Sequence, residues 1–505
     1  MTDIKEFIAP GRRIFISGIG GVSTSALADL LRMRGVKVSG SDARQSAVTD
    51  RLVSLGVTVH IGHSAENLAD AECVVRSAAI HDSNPEISGA RARGIPVYER
   101  ADAWGAIMLE FKGSVCIAGT HGKTTTTGFA AQVAGAAGLD PTVTVGGCVP
   151  GIGTHRVGAH DLIIAESCEY CNSFLRFRPT TAVVLNIEED HLDFFSGLEE
   201  IKQSFEHFCR LVPASGRIAV CIDTPNSRAL YDKFAAEFRA VKTDAPKTLE
   251  LDEPPTPRGF DSWSAPRTAN WSAAHPQLVA FSTSDTEAPV RAENITVSRG
   301  RYSFDLVFDP AKVVGETTLP AARERVTLSV VGEHNVTDAL GAAASLWGIV
   351  PPDMIASALS EAGGAGRRFE FKGKYAGAEV YDDYAHHPSE IEALFSAARS
   401  ALEGSDGRLV VVFHPHTYSR TKAFRREFAE VLGKADECCI LPIYAAREDP
   451  DPEISSEMLA ADCGAHYADS FEAAADWARS KLREGDLLVT VGAGEAFKVG
   501  NILLG

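Results

Sequence analysis

Residues 113–127, GSVCIAGTHGKTTTT, carry the groups best suited to chemistry in this chain. A short apolar, β-branched run at 114–118 reads as a buried parallel strand. It leads straight into Gly119, Thr120, His121, Gly122, Lys123 and Thr124, with Thr125 and an Ala-rich helical pattern behind them. A strand, a glycine turn and a helix start together cradle phosphate. The glycines let backbone N–H groups approach anionic oxygens, and the helix N-terminus adds the positive end of its dipole. Lys123 would bring a point charge to the β- and γ-phosphates, and the Thr124 hydroxyl would reach Mg²⁺. The run is two residues short of G-x-x-x-x-G-K-[ST], with Gly119 as its first glycine.

Two further strand ends offer oxygen ligands for such an ion. DLIIAE at 161–166 closes on Glu166, and TAVVLN at 181–186 leads to Glu188, Glu189, Asp190 and His191. Polar groups at the C-terminal ends of successive parallel strands are where an open α/β sheet builds its ligand site. Glu166, Asp190 and His191 could hold Mg²⁺, histidine being the less usual ligand for a hard cation. Cys168 and Cys171 form C-x-x-C with neither a second ligand pair nor a thioredoxin-like context, so they read as walls of the site.

The elements that position these groups are α/β throughout. RRIFIS at 12–17 opens onto Gly18, Gly20 and Gly21, then a helix over about 25–34 and a strand over 36–39 that ends at Asp42. This is the layout of a dinucleotide fold, with phosphate on the helix N-terminus and the carboxylate on a ribose or base, although Ser23 replaces the last glycine. Further βα units follow at 57–61, 73–77 and 96–98. A β pattern over 295–308 and 325–331 precedes Asn335. This residue either caps the Ala-rich helix over 339–346 or presents its amide to an adenine edge. GGAGRR at 363–368 reads as a hinge. Beyond it, a strand at 379–381 ends in Asp382, Asp383 and Tyr384, and RLVVVF at 408–413 runs into His414, His416 and Arg420. Strands at 437–441 and 486–491 complete a third sheet.

At 505 residues the chain has length for about three domains at ~150 residues each. We expect them at 1–110, 111–364 and 365–505, with a Pro-, Ser- and Thr-rich surface excursion at 243–276. The fold class is α/β: a Rossmann-like N-terminal domain, a central P-loop domain on a parallel or mixed sheet, and a Rossmann-like C-terminal domain. A net charge of −18 argues against nucleic acid or an anionic membrane as a general partner. MTDIKEFIAPGRR has no apolar leader run, and no stretch has the length to span a bilayer, so the expected location is the cytoplasm. The ten cysteines are scattered, as expected of buried thiols in a reducing compartment.

Taken in order, GTHGKTTT, the glutamate closing DLIIAE, NIEEDHLD, GEHN, GRRFE, DDYAHHPSE and HPHTYSRT resemble the Mur ligase family. The resemblance implies an ATP- and Mg²⁺-dependent ligase. Such an enzyme joins L-alanine to the lactyl carboxylate of UDP-N-acetylmuramate through an acyl phosphate. A murein-tripeptide recycling ligase and a nucleotide-binding homologue without catalysis are the alternatives. By motif, the resemblance implies that Lys123 and Thr124 hold phosphate and the first metal, Glu166 completes that metal site and His191 serves the second. It implies that Asn335 reads adenine, Arg368 reaches a phosphate from the hinge, and Asp382 and Asp383 serve the ribose and closing contacts. Tyr384, His387, His416 and Arg420 would line the alanine pocket, with Arg420 as counter-charge to the amino-acid carboxylate. Gly18, Gly20, Gly21, Asp42, His63 and Ser77 match the UDP-sugar site. The implied partners are those two small molecules, with no nucleic acid and no membrane insertion, for a monomer or homodimer. SCEYCNSF stands where the family often carries an ADESDASF-like run, and Thr417 where some members carry arginine.

Overall fold

The computed structural model describes residues 3–192, 194–240, 274–446 and 448–505. Most of the expected excursion at 243–276 lies outside the described residues, as does Asp193 of NIEEDHLD. The chain forms two compact units. The first comprises Met1–Arg291, Val307–Arg323 and Leu340–Ala358; the second comprises Ala292–Leu306, Glu324–Ala339 and Leu359–Gly505.

The first unit opens with a parallel sheet of β1 (Arg13–Ser17), β2 (Lys37–Asp42), β3 (Thr58–Ile61), β4 (Cys73–Arg76) and β5 (Val97–Glu99), in the order β3-β2-β1-β4-β5. Helices α1 (Val22–Met33), α2 (Ala47–Ser54), α3 (Pro85–Ala92) and α4 (Arg100–Met108) accompany it. The strand order reverses beside β1, so the turn after β1 lies at the topological switch point where such sheets bind ligands. Helix α1 begins three residues earlier than expected, with Gly21 as an N-cap that contributes no side chain. Strand β2 runs on to Asp42, beyond the expected 36–39, because Ser17 and Ser41 still pair across β1 and β2.

The central sheet of this unit follows. Its strands are β6 (Gly113–Ala118), β7 (Thr142–Val149), β8 (Gly153–Arg156), β9 (Leu162–Glu166), β10 (Thr181–Val184), β11 (Arg217–Cys221) and β12 (Gln277–Ser282). The order β12-β11-β10-β6-β9-β7-β8 places β6, and the turn after it, between β10 and β9. Helix α5 (Lys123–Ala136) leaves that turn. Strand β7 is not evident from the sequence, because Gly146 and Gly147 resemble a turn. In the structure both glycines continue the strand.

The first and central sheets share one apolar core. Ile14, Leu27 and Trp104 belong to the same buried cluster as Phe174, Phe205 and Phe208. A polar pin crosses between them, His155 Nε2 lying 3.1 Å from Asp29 Oδ2, while within the first layer Trp104 donates to Ser23 Oγ at 3.2 Å. Asp29 is buried and also takes Arg32 and Arg51, each at 2.8 Å.

In the second unit the expected β run at 295–308 is two strands, β13 (Val290–Ser298) and β14 (Arg301–Phe308), followed by β15 (Ala322–Val331). The turn residues Arg299 and Gly300 are both left-handed (φ 47° and 72°), the conformation that matches the twist of a tight hairpin. The last sheet has β16 (Glu370–Tyr375), β17 (Ala378–Asp383), β18 (Leu409–Phe413), β19 (Glu437–Ile440), β20 (His466–Tyr467) and β21 (Leu487–Val491), in the order β16-β17-β21-β18-β19-β20. Only β16 is antiparallel to its neighbour. Along β18, Leu409, Val411 and Phe413 enter one core cluster while Val410 and Val412 enter another. Both faces are therefore covered, as in a parallel α/β sheet. Among the described residues no helix is long and apolar enough to cross a membrane.

Candidate active site

The turn after β6 is closed by neighbouring strands. Thr120 N donates to Asn186 O at 3.2 Å, and His121 N donates to Asn186 Oδ1 at 2.8 Å. Gly122 caps α5 with φ +83°, a left-handed conformation that costs other L-residues roughly 1–2 kcal/mol. Lys123 folds back over the turn. Its Nζ donates to the carbonyl of Gly119, to Thr120 O at 3.0 Å and to Glu169 Oε1 at 3.1 Å. Burial, the largest single influence, disfavours the ammonium, but Glu169, Cys168 and Glu166 together raise the Lys123 pKa above its ordinary value. Lys123 is therefore a firm cation at neutral pH.

The next residue faces an oxygen partner. Thr124 Oγ1 donates to Glu166 Oε2 at 2.9 Å, and Gly146 N donates to the same oxygen at 2.6 Å. Strand β7 thus aligns the glutamate at the end of β9 with the start of α5. His191 has φ 54° and packs against Tyr170 in a tilted pair with ring centroids 4.8 Å apart. Its Nε2 lies 3.8 Å from Glu169 Oε1 and 3.7 Å from Asp190 Oδ2. Lys123, Thr124, Glu166 and His191 are thus gathered around the turn, with Glu169 between the lysine and the histidine. Among the described residues no three His, Cys, Asp or Glu side chains form a metal cage. The hard oxygens of Thr124 and Glu166 nevertheless suit Mg²⁺, which takes one or two protein ligands and completes its shell with phosphate and water.

At the first sheet the turn after β1 gathers its expected residues. Gly18 N and Ile19 N both donate to Ser41 O at 2.9 Å, and Gly20 N donates to Asp42 Oδ2 at 2.9 Å. A Cβ on Gly20 would lie 2.7 Å from that carboxylate oxygen. Ser77 N donates to Ser17 O at 3.2 Å, and His63 follows β3 next to Gly62, whose N–H donates to Asp42 O at 2.8 Å. A cavity beyond Ser77 is lined by Ala78, Glu99, Arg100, Cys171, Ser173 and Arg176. Cys171 and Asn172 are both left-handed there (φ 54° and 53°).

In the second unit Asp382 is buried between Arg367 Nε at 2.8 Å and Thr490 Oγ1 at 2.7 Å. Arg367 also donates to Gly492 O at 2.7 Å. Arg368 Nη1 lies 4.0 Å from Glu390 Oε1, with its guanidinium 5.4 Å from the centre of the Tyr384 ring. Asp383 accepts from Phe369 N at 2.6 Å and Ala385 N at 2.7 Å, and burial pushes its carboxyl up to about 6. Asn335 is not an N-cap. It sits inside the helix His334–Leu346, and its amide donates to Val331 O at 2.8 Å. His387 caps the helix Pro388–Ala401 and packs edge-on against Phe424. His416 and Arg420 lie together, Nδ1 to Nη1 at 3.3 Å. The His416 ring is 5.9 Å from His386, whose ring is 5.5 Å from Tyr384.

Sequence reasoning missed Glu169, Gly146, Arg100 and Arg176. Glu169, Gly146 and Arg176 meet partners remote in the chain, and Arg100 lines the cavity together with Cys171, so no local spacing marks them.

A glycine turn between strand and helix, with its own lysine and a threonine facing a strand-end glutamate, defines a nucleotide-phosphate cradle on an α/β scaffold. The chain belongs to the Mur ligase family. It matches the models for the Mur ligase family catalytic domain at residues 13–112, the Mur ligase middle domain at 117–248 and the Mur ligase glutamate ligase domain at 367–494. Among curated relatives it is 38% identical over 501 residues to UDP-N-acetylmuramate–L-alanine ligase of Lachnospira eligens, covering 97% of each chain. It is 39% identical over 510 residues to the same-named ligase of Thermobifida fusca, covering 99% of this chain and 97% of that one. Its fold is shared with UDP-N-acetylmuramate-alanine ligase of Thermotoga maritima, at TM-score 0.73 and 24% identity over 97% of this chain and 98% of that one. A murein peptide ligase of Psychrobacter arcticus follows at TM-score 0.66 and 22% identity, covering 98% of each chain.

Proposed function

We propose that the protein is the ATP-dependent ligase that joins L-alanine to UDP-N-acetylmuramate in peptidoglycan precursor synthesis. One observation carries this reading. Lys123, Thr124 and Glu166 stand together at the turn after β6 in a chain whose full-length relatives bear that activity in their name. A lactyl carboxylate oxygen attacks the γ-phosphorus of ATP, and ADP leaves. The amine of alanine then attacks the carbonyl carbon of the acyl phosphate. Phosphate departs, the amine gives up a proton, and an amide remains.

The protein's part in such phosphoryl and acyl transfer is positioning and charge neutralisation. Lys123 and the backbone N–H groups of residues 122–125, at the start of α5, would hold the phosphates. Thr124 and Glu166 would hold Mg²⁺, which would supply charge neutralisation, and His191 would serve a second ion. Residues 1–110 take the UDP-sugar on the turn after β1, through Gly18, Gly20, Gly21, Asp42, His63 and Ser77. Arg100 and Arg176 suit the anionic groups of that substrate. Residues 365–505 take alanine, with Arg420 as its carboxylate partner and Tyr384 and His416 beside it. Asn335 and Arg368 are assigned to the nucleotide by the family resemblance, whereas Asp382, buried against Arg367 and Thr490, holds Arg367 in place instead of meeting a ribose. The use of ATP and a nucleotide sugar supports a cytoplasmic location.

The test is phosphate release from ATP with UDP-N-acetylmuramate, run with each amino acid separately and with a wall tripeptide. Release that depends on alanine and is absent with tripeptide is the expected result. Release with tripeptide alone would make the protein a recycling ligase, and ATP binding without release would leave a nucleotide-binding homologue.

A further inference from the structure

Glu86, the second residue of α3, is a fully buried carboxylate beneath the turn after β1 (0% exposed). Its Oε2 accepts from Ser17 Oγ at 2.5 Å and from Ser41 Oγ at 2.7 Å, and it lies 3.1 Å from His63 Nδ1. Its Oε1 accepts from Asn67 Nδ2 at 2.9 Å. Ser17 and Ser41 are register partners on β1 and β2, so the parallel pairing itself delivers both hydroxyls to one oxygen. Burial pushes the carboxyl up, but the hydrogen bonds from Ser17, Asn67, Ser41 and His63 together hold it below the usual range. An ionised carboxylate only accepts.

The proton count follows. Each serine hydroxyl has one hydrogen, and both are spent on Glu86 Oε2. Ser41 Oγ also lies 3.1 Å from His63 Nδ1, and with its own hydrogen committed it can only accept from the ring. Nδ1 therefore meets two acceptors and must carry the hydrogen. In the neutral ring the lone pair then sits on Nε2. The His63 side chain keeps 18% of its surface exposed, and it stands beside Asp42 and the glycine turn.

We propose that Glu86 is a positioning residue that locks His63 in its Nδ1–H tautomer, making Nε2 a hydrogen-bond acceptor for a ligand N–H. Resting on the uridine-nucleotide reading above, this acceptor selects uracil, whose N3 bears a hydrogen, over cytosine, whose N3 is itself an acceptor. A site built around one buried polar partner discriminates because the mismatched base leaves that partner unpaired.

The experiment uses the full chain with ¹⁵N-labelled histidine at pH 8, where an ordinary imidazole is neutral. Ring-nitrogen spectra are recorded for the wild type, with His63→Gln to assign the signal. UDP and CDP binding are measured by calorimetry on the same samples. The wild type should show the Nδ1–H tautomer and prefer UDP. Glu86→Gln, whose amide can donate to Nδ1, should move His63 to Nε2–H and cut the UDP-over-CDP preference by about tenfold or more. Glu86→Asp keeps a carboxylate and should restore much of both. An Nε2–H or doubly protonated ring in the wild type would overturn the proposal, and this spectrum does not depend on any variant folding. An unchanged tautomer in Glu86→Gln, or equal weakening of UDP and CDP, would reduce Glu86 to a structural buttress. The Nδ1–H tautomer in a wild type that binds neither nucleotide would defeat the uridine reading and the base selection, and leave the tautomer lock standing.

Discussion

The first unit contains the same device twice, a strand that breaks at glycines and releases a helix, and the two copies solve anion binding differently. After β1 the turn carries no cation of its own. Gly21 caps α1 without a side chain, and a carboxylate, Asp42, braces the Gly20 amide from the next strand. After β6 the turn carries Lys123, which lies on the loop carbonyls with Glu169 behind it, and Thr124, which faces Glu166. The first turn spends its own amides on Ser41 and Asp42 and leaves the N-terminal end of α1 with its dipole, which suits a ligand that must be bound and left unchanged. The other adds movable charge and metal-capable oxygens, which suits a phosphoryl group that must be transferred.

The largest test of this difference is Lys123→Ala. Turnover should fall by about 10³-fold or more, since a charge aimed at the transferring phosphoryl group is lost. The same change leaves Glu169 buried without its cation, and breaking a buried pair costs about 3–5 kcal/mol. Thermal unfolding should therefore shift down in the single variant and recover in Lys123→Ala/Glu169→Gln, while turnover stays lost in both. Recovered turnover in the double variant would mean that the lysine serves structure alone.

Next in size is Glu166→Gln. It keeps the shape but weakens the oxygen pair, and should lower turnover roughly 10²-fold while raising the Mg²⁺ concentration needed for half-activity. A uniform loss at every Mg²⁺ concentration would take Glu166 out of the metal site. Gly20→Ala probes the other turn. The added methyl presses on Asp42 and should raise KM for the uridine nucleotide about tenfold with kcat nearly unchanged, the signature of lost uniform binding. A fall in kcat alone would blur the contrast between the turns. The smallest effect belongs to Asp42→Asn, which retains an oxygen for the Gly20 amide and should move stability by less than about 1 kcal/mol.

The cradle after β6 was readable from sequence because its parts are local. Strand, glycines, lysine, threonine and helix occupy fifteen consecutive positions. Glu166 was readable for a related reason, as it closes an apolar run. Glu169 was not, because it is defined by Lys123, 46 residues away. Strand β7 was hidden by its glycine pair, whose use is to bring the Gly146 amide against Glu166. In GRRFE the resemblance singled out Arg368 and gave Arg367 no role. The structure commits Arg367 to Asp382 and the Gly492 carbonyl, and sets Arg368 near Glu390. At Asn335 the helix starts earlier than the Ala-rich pattern suggested, which turns a supposed cap into a residue of its first turn.

Asp29 gives the shared core a practical meaning. It joins α1 to Arg51 of α2 and to His155 of β8, while Trp104 reaches Ser23 from α4. The two glycine turns are thereby fixed in separation. A small molecule designed to occupy both at once can carry a stiff spacer in place of a flexible chain, and would forfeit little conformational entropy on binding.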